Sequence, residues 1–196
     1  MAKRKSGSHS RNEGASMSTE YFKQAAILGA FVEKVRNMGQ PCGETLMQKA
    51  AFVMKELLGV PLSDEFRIHY YGPFSFQLRE RLALLEAEDF VRVSPREMGV
   101  TYDLGTRFEQ LREQYPKTIA SHERAIEFAA TRLAPLSVKQ LEPLTTALYV
   151  TRQQPDGTHE QRAAQLIEIK PHVKLGEARE AIAKVDGWLA EVRELS

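Results

Sequence analysis

The chain has 196 residues, 42% of them hydrophobic and 27% charged, which is an ordinary globular composition able to form a core without disulfide or metal staples. No apolar run approaches the roughly 18–20 residues that cross a bilayer, and no apolar stretch follows the opening basic residues, so neither a membrane span nor a signal peptide is expected. The formal net charge is +1 but unevenly placed: Lys3, Arg4, Lys5 and Arg11 against Glu13 give residues 1–16 a charge of +3, the remainder carries −2, and bulk charge does not favour a nucleic-acid partner.

Residues 1–16 are polar, basic and rich in Ser and Gly, and are read as a disordered tail. A nucleic-acid-touching arm, a cloning remnant and an extension before a start at Met17 all stay open; an inert tail is the reading adopted. Order is expected from Ser18 or Thr19. Thr19 would cap a helix carrying Phe22, Ala26, Leu28, Ala30, Phe31 and Val35, which Asn37-Met38-Gly39-Gln40-Pro41 stops. The one cysteine, Cys42, follows in a turn. It cannot form an internal disulfide, and it fits a reducing, cytoplasmic compartment. No base accompanies it, so it is read as a small turn residue and not as a nucleophile.

Thr45 to Leu58 predict a second helix, whose wide apolar face includes Lys49 and which Gly59 stops. Phe66, Ile68 and Tyr70 then alternate with Arg67 and His69, the period of a short strand, and Tyr71-Gly72-Pro73 ends it in a turn. Ser75 to Ala87 predict a third helix, with Leu78, Leu82 and Leu85 on one face. A hairpin follows, with Phe90, Val91 and Val93 leading into Ser94–Gly99 and Val100, Tyr102 and Leu104 leading out. Helix, helix, helix and two-stranded hairpin is the winged-helix order. Thr106 is expected to cap another helix towards Tyr115-Pro116, and further helices are placed at 118–132, 137–153, 158–169 and 174–194, the second of these beginning only after Pro143 in one version.

The fold class expected is therefore α+β, mainly α. A winged-helix-like region with a β-hairpin wing spans 17–116, and a helical region spans 117–196, packed together as one globule.

Between residues 46 and 78 the chain reads Leu46-Met47-Gln48-Lys49-Ala50-Ala51-Phe52, Gly59-Val60-Pro61-Leu62 and Tyr70-Tyr71-Gly72-Pro73-Phe74-Ser75-Phe76-Gln77-Leu78. This is similar to the L-Q-K-L-x-F … G-x-x-L … Y-Y-G-P-Y-S-x-x-L series of the YwgA-like proteins, which resemble in turn the Panacea, or SocA-like antitoxin, domain. Leu141-Glu142-Pro143-Leu144 to Leu148-Tyr149-Val150 and the turn Ile169-Lys170-Pro171-His172 extend the resemblance downstream, over about residues 20–190. Met47 is an insertion relative to that pattern, and Val173 stands where it carries an aromatic. The resemblance implies a module that neutralises or regulates a partner protein by contact. It carries over no catalytic residue.

Several residues compete for roles. Tyr70 and Phe74 are read as core and Tyr71 as core or interface in equal measure. Gln48 and Lys49 break an apolar helix: either Lys49 snorkels past the core, or it meets an anion or a partner carboxylate near Tyr71-Gly72-Pro73. A DNA-binding version would use Gln77, Arg79, Arg81, Arg92 and Arg96, but Glu80, Glu86, Glu88, Asp89 and Glu97 lie in the same region and repel phosphate. His9, His69, His122, His159 and His172 form no zinc spacing, and no nucleophile elbow, P-loop or dinucleotide fingerprint occurs.

The leading expectation is a non-enzymatic, cytoplasmic regulatory module without cofactor, metal or membrane. It would bind a partner protein, encoded nearby in an antitoxin-like arrangement, through Gln48, Lys49, Tyr71, Gly72, Pro73, Arg79 and Arg81. The alternative is a winged-helix DNA-binding regulator, a remote third is an enzyme whose site is invisible in sequence, and a homodimer stays open.

Overall fold

The computed structural model describes residues 9–97 and 99–194, with side chains from residue 19 onward. It is a mainly helical α+β structure with two small antiparallel hairpins. In chain order the elements are α1 (His9–Asn37), α2 (Glu44–Glu56), β1 (Arg67–His69), β2 (Gly72–Phe74), α3 (Phe76–Ala87), β3 (Val91–Pro95), β4 (Val100–Leu104), α4 (Phe108–Gln114), α5 (Pro116–Leu133), α6 (Val138–Gln153), α7 (His159–Ile169) and α8 (Leu175–Glu194). Among the described residues no helix is long and apolar enough to cross a membrane.

Helix α1 buries its apolar stripe, with Ala26, Ile27, Phe31 and Val35 all inside, and packs along α5. Its small positions matter as much as its large ones. A Cβ on Gly29 would come within 2.2 Å of the Phe108 ring, so the absence of a side chain there is what lets α4 lie against α1. Helix α2 packs against both α5 and α6, and α6, α7 and α8 pack on one another. One hydrophobic cluster runs from α1 through Phe52, Leu82, Phe128 and Leu148 to Trp188, so 17–116 and 117–196 contribute to the same core.

The two hairpins are built differently. β3 and β4 pair over five residues, Val91 opposite Leu104 and Pro95 opposite Val100. A single bridge, Gly43 to Thr101, ties this hairpin to the start of α2, reinforced by the Tyr102 N–H donating to the Cys42 carbonyl at 2.8 Å. β1 and β2 pair over three residues, Arg67 opposite Phe74 and His69 opposite Gly72, and stand against α2 and α6. The turn expected at Tyr71-Gly72-Pro73 is thus half of a hairpin, with Gly72 and Pro73 in its second strand.

Other differences have local causes. α1 starts at His9, so Thr19 lies inside the helix and does not cap it, and residues 9–16 take helical backbone where a disordered tail was expected. Extending an existing helix costs far less than nucleating one. Residues 1–8 of that tail lie outside the described residues. α6 begins at Val138 and runs through Pro143, because Ser137 and Gln140 form a capping box, the Ser137 N–H donating to Gln140 Oε1 at 3.0 Å. The same device, Thr158 with Gln161, starts α7. Arg107, not Thr106, precedes α4; Thr106 donates instead to the Asp89 carboxylate.

Candidate functional site

The β1–β2 hairpin carries Tyr71, Gly72 and Pro73, three of the residues singled out in the sequence. Its aromatic residues are outside. Tyr70 is 73% exposed, Tyr71 55% and Phe76, at the start of α3, 62%. Phe74 is half-buried, with its ring 5.1 Å from that of Phe76 and the Arg79 guanidinium 4.7 Å above its face. The core placement expected for Tyr70 and Phe74 is therefore corrected. Phe66 and Ile68 are half-buried as the alternation expects, but the strand ends at His69 and Tyr70 lies in the turn, exposed.

What holds this hairpin is a set of buried polar side chains beneath it. Gln48 is buried and pairs with Ser75 in both directions: Nε2 donates to the Ser75 carbonyl and Oε1 accepts from the Ser75 N–H, each at 2.9 Å. Lys49 is only 2% exposed, and its Nζ donates to the Pro73 carbonyl at 2.8 Å. From the opposite side comes Lys170, in the connection between α7 and α8. It donates to the carbonyls of His69, at 2.8 Å, and Tyr70, and its Nζ lies 3.0 Å from the buried carboxylate of Glu142 on α6. His172 Nε2 stands 3.3 Å from that same carboxylate. Two ammonium groups thus hold three backbone carbonyls of the hairpin, those of His69, Tyr70 and Pro73.

Gly72 makes this packing feasible. Its φ is +89°, and a Cβ there would meet Thr146 Oγ1 at 3.2 Å and Lys49 Nζ at 3.5 Å. Pro73 is buried beside it and supplies the carbonyl that Lys49 uses.

The electrostatics are uneven. Burial pushes the Lys49 pKa down to about 8 from 10.5; the Lys170 charge adds to that fall, and Glu142 opposes it. Among the described residues no carboxylate lies within salt-bridge distance of Lys49. Between α2 and the hairpin is a cavity of about 380 Å³ lined by Lys49, Tyr71, Phe74 and Phe76 together with Glu44, His69 and Arg79. Among the described residues no three His, Cys, Asp or Glu side chains converge as a metal ion would require.

The remaining residues singled out in the sequence divide by what they touch. Arg79 is exposed at the cavity edge and pairs with Glu44 at 2.7 Å. Arg81 is engaged within the protein. It is 13% exposed, sits 3.2 Å from the fully buried Asp64 carboxylate and donates to Ser63 Oγ at 2.7 Å. It forms an ion pair that ties α3 to the segment before β1. Gln77 accepts the Glu65 N–H at 2.7 Å. Arg92 is exposed and pairs with Asp89 at 3.4 Å. Arg96 is exposed at the tip of the β3–β4 hairpin, far along the chain from the aromatic hairpin.

Sequence reasoning groups Phe76 with Tyr70, Tyr71 and Phe74 as a candidate aromatic surface, but it does not bring Glu142, Thr146 and Lys170 into the site. The Lys170-Pro171 turn stands out only through a resemblance, and nothing in its own spacing links it to residues a hundred positions earlier. No protein-family model matches this chain, and no curated protein matches it.

Proposed function

We propose that this protein is a non-enzymatic regulatory module that binds a partner protein through the β1–β2 hairpin and the start of α3. The observation that carries this is the pairing of exposure with rigidity. Three large aromatic side chains, Tyr70, Tyr71 and Phe76, stand exposed together on a hairpin anchored from below by Gln48, Lys49 and Lys170. Surface aromatics of this size are interface anchors, and a fixed backbone removes much of the ordering cost of binding. Tyr70 and Tyr71 are in edge-to-face contact at 4.8 Å, which orients them further. The resemblance to YwgA-like and Panacea proteins points the same way, towards an antitoxin-like or adaptor role in the cytoplasm.

The helix order and the Gly43–Thr101 bridge at the base of the β3–β4 hairpin support a winged-helix-like description of the N-terminal part. They support DNA binding less. Of the four arginines assigned to that reading, Arg79, Arg81 and Arg92 are engaged by Glu44, Asp64 and Asp89, which leaves Arg96.

The test compares the wild type with a Tyr71→Ala/Phe76→Ala variant in affinity capture from the native host at low and high salt. A stoichiometric protein retained at high salt by the wild type and lost by the variant, with the melting temperature unchanged, is the expected result. Nucleic acid recovered only at low salt and lost on Arg96→Glu would refute the reading in favour of the DNA-binding regulator.

A further inference from the structure

We propose that the cavity between α2 and the β1–β2 hairpin is a binding site for a small carboxylic acid with a flat apolar body, whose carboxylate pairs with Lys49. This does not rest on the hairpin's having a protein partner.

Around the cavity the charges pair off, with one exception. At its mouth Arg79 and Glu44 neutralise each other at 2.7 Å. Under the hairpin Lys170 and Glu142 do the same at 3.0 Å, with His172 Nε2 3.3 Å from the same Glu142 Oε1. Gln48 is neutral, and its amide is held to the Ser75 backbone by two hydrogen bonds. What is left is Lys49, almost wholly buried, with a backbone carbonyl for partner and no counterion among the described residues. An ammonium has three donors, and the Pro73 carbonyl occupies one.

A buried charge without a countercharge is among the more destabilising things a fold can carry, and substitution by an apolar residue usually removes the cost. Lys49 is also a cavity wall, so a ligand can reach the surface it forms. One uncompensated positive charge is balanced by one negative charge, which fits a carboxylate better than a dianion. The other walls select the rest of the molecule. Tyr71, Phe74 and Phe76 make the lining aromatic, and about 380 Å³ is more than a bare ion needs and lies within the range of small-molecule pockets. A single-ring acid matches both the volume and the lining.

Titration gives a signature that a merely structural lysine would lack. Lys49 is a base whose pKa is lowered to about 8, by burial first and by Lys170 next, with Glu142 opposing. The other ionisable groups around it are His69 and Tyr71 on the hairpin, His172 beside Glu142, and the Glu44–Arg79 pair at the mouth. A bound carboxylate must raise the Lys49 pKa, so binding is full strength below pH 8 and weakens by about tenfold for each pH unit above it.

The experiment uses the full chain and a panel of five acids: benzoate, phenylacetate, 3-phenylpropionate, cyclohexanecarboxylate and indole-3-acetate. Each is paired with its neutral amide, and inorganic phosphate is included. Calorimetry between pH 6.5 and 9.5 is combined with NMR of the lysine ε-carbons. The expected result is at least one acid bound tenfold or more tightly than its amide, losing affinity above pH 8 and moving the Lys49 titration upward. Lys49→Met should bind acid and amide equally. Should that variant fail to fold, the pH profile of the wild type still decides. The proposal is overturned if no acid is preferred over its amide, if the preference survives Lys49→Met, or if phosphate displaces the acids with equal affinity.

Discussion

Replacing Lys49 by methionine should make this protein more stable, a direction opposite to that of most core substitutions. The side chain is 2% exposed, and its pKa falls from 10.5 to about 8 on folding. Keeping it charged at neutral pH therefore costs about 3 kcal/mol. The charge returns part of this through its hydrogen bond to the Pro73 carbonyl, worth about 1–2 kcal/mol. Methionine has nearly the same length and no charge, so the net gain at pH 7 is about 1–2 kcal/mol, or roughly 2–8 °C in melting temperature for a chain of this size. The pH dependence carries a sign. The folded state holds Lys49 neutral more readily than the unfolded state does, so between pH 8 and 10.5 the unfolded chain binds more protons and the Lys49 contribution to stability rises with pH. Cys42 acts the other way: burial pushes its thiol up to about 12 from 9.0, so its contribution is complete below pH 9 and is lost above it. The difference between wild type and Lys49→Met removes the Cys42 part, and that difference should hold level up to about pH 8, shrink above it and reverse by about pH 10. Urea melts at four pH values measure it. A variant less stable than wild type by more than about 1 kcal/mol at pH 7, or a gap that ignores pH, would contradict this account and mean that the Pro73 hydrogen bond outweighs the cost of burying the charge.

Three further outcomes follow from the same geometry. Arg81→Ala strands the fully buried Asp64 carboxylate and should cost about 3–5 kcal/mol in urea denaturation, whereas a paired Arg81→Leu/Asp64→Leu replacement should recover most of it; if Arg81→Ala is silent, the pair is solvated. Gly29→Ala drives a methyl group into the Phe108 ring and should lower stability by about 1–3 kcal/mol, with a matching drop in melting temperature. Cys42, buried and held as a thiol, should not react with a disulfide reagent at pH 8 in the native state and should react fully once guanidinium unfolds the chain; native reactivity would mean that the Gly43–Thr101 bridge opens.

Much of the architecture is legible before folding because its signals are local. Gly59, the Ser75 cap and the Thr158–Gln161 box each mark an element end within a few residues of the periodic stripe they bound, and α2, α3 and α5 to α8 begin and end within two residues of the expected positions. Gln48, Lys49 and Gly72 could be singled out for a related reason: each breaks the pattern around it. What could not be read is anything that depends on which face meets which. Arg81 reads as a surface cation until Asp64, 17 residues earlier, is found buried beneath it. Tyr70 reads as core until the hairpin proves too short to bury it.

The order of residues along the chain is thus enough to specify a mainly helical protein with a five-residue-strand hairpin, a short strand ending at Tyr71-Gly72-Pro73 and a polar interruption in α2. Helix stripes, caps and turns are set by residues within one or two turns of each other, so each can be read where it stands. That Lys49, Glu142 and Lys170 share one buried space under an aromatic hairpin emerges only on folding. Their meeting joins segments about a hundred residues apart, and the packing of α2 on α6 that brings them together leaves no periodic trace in the chain.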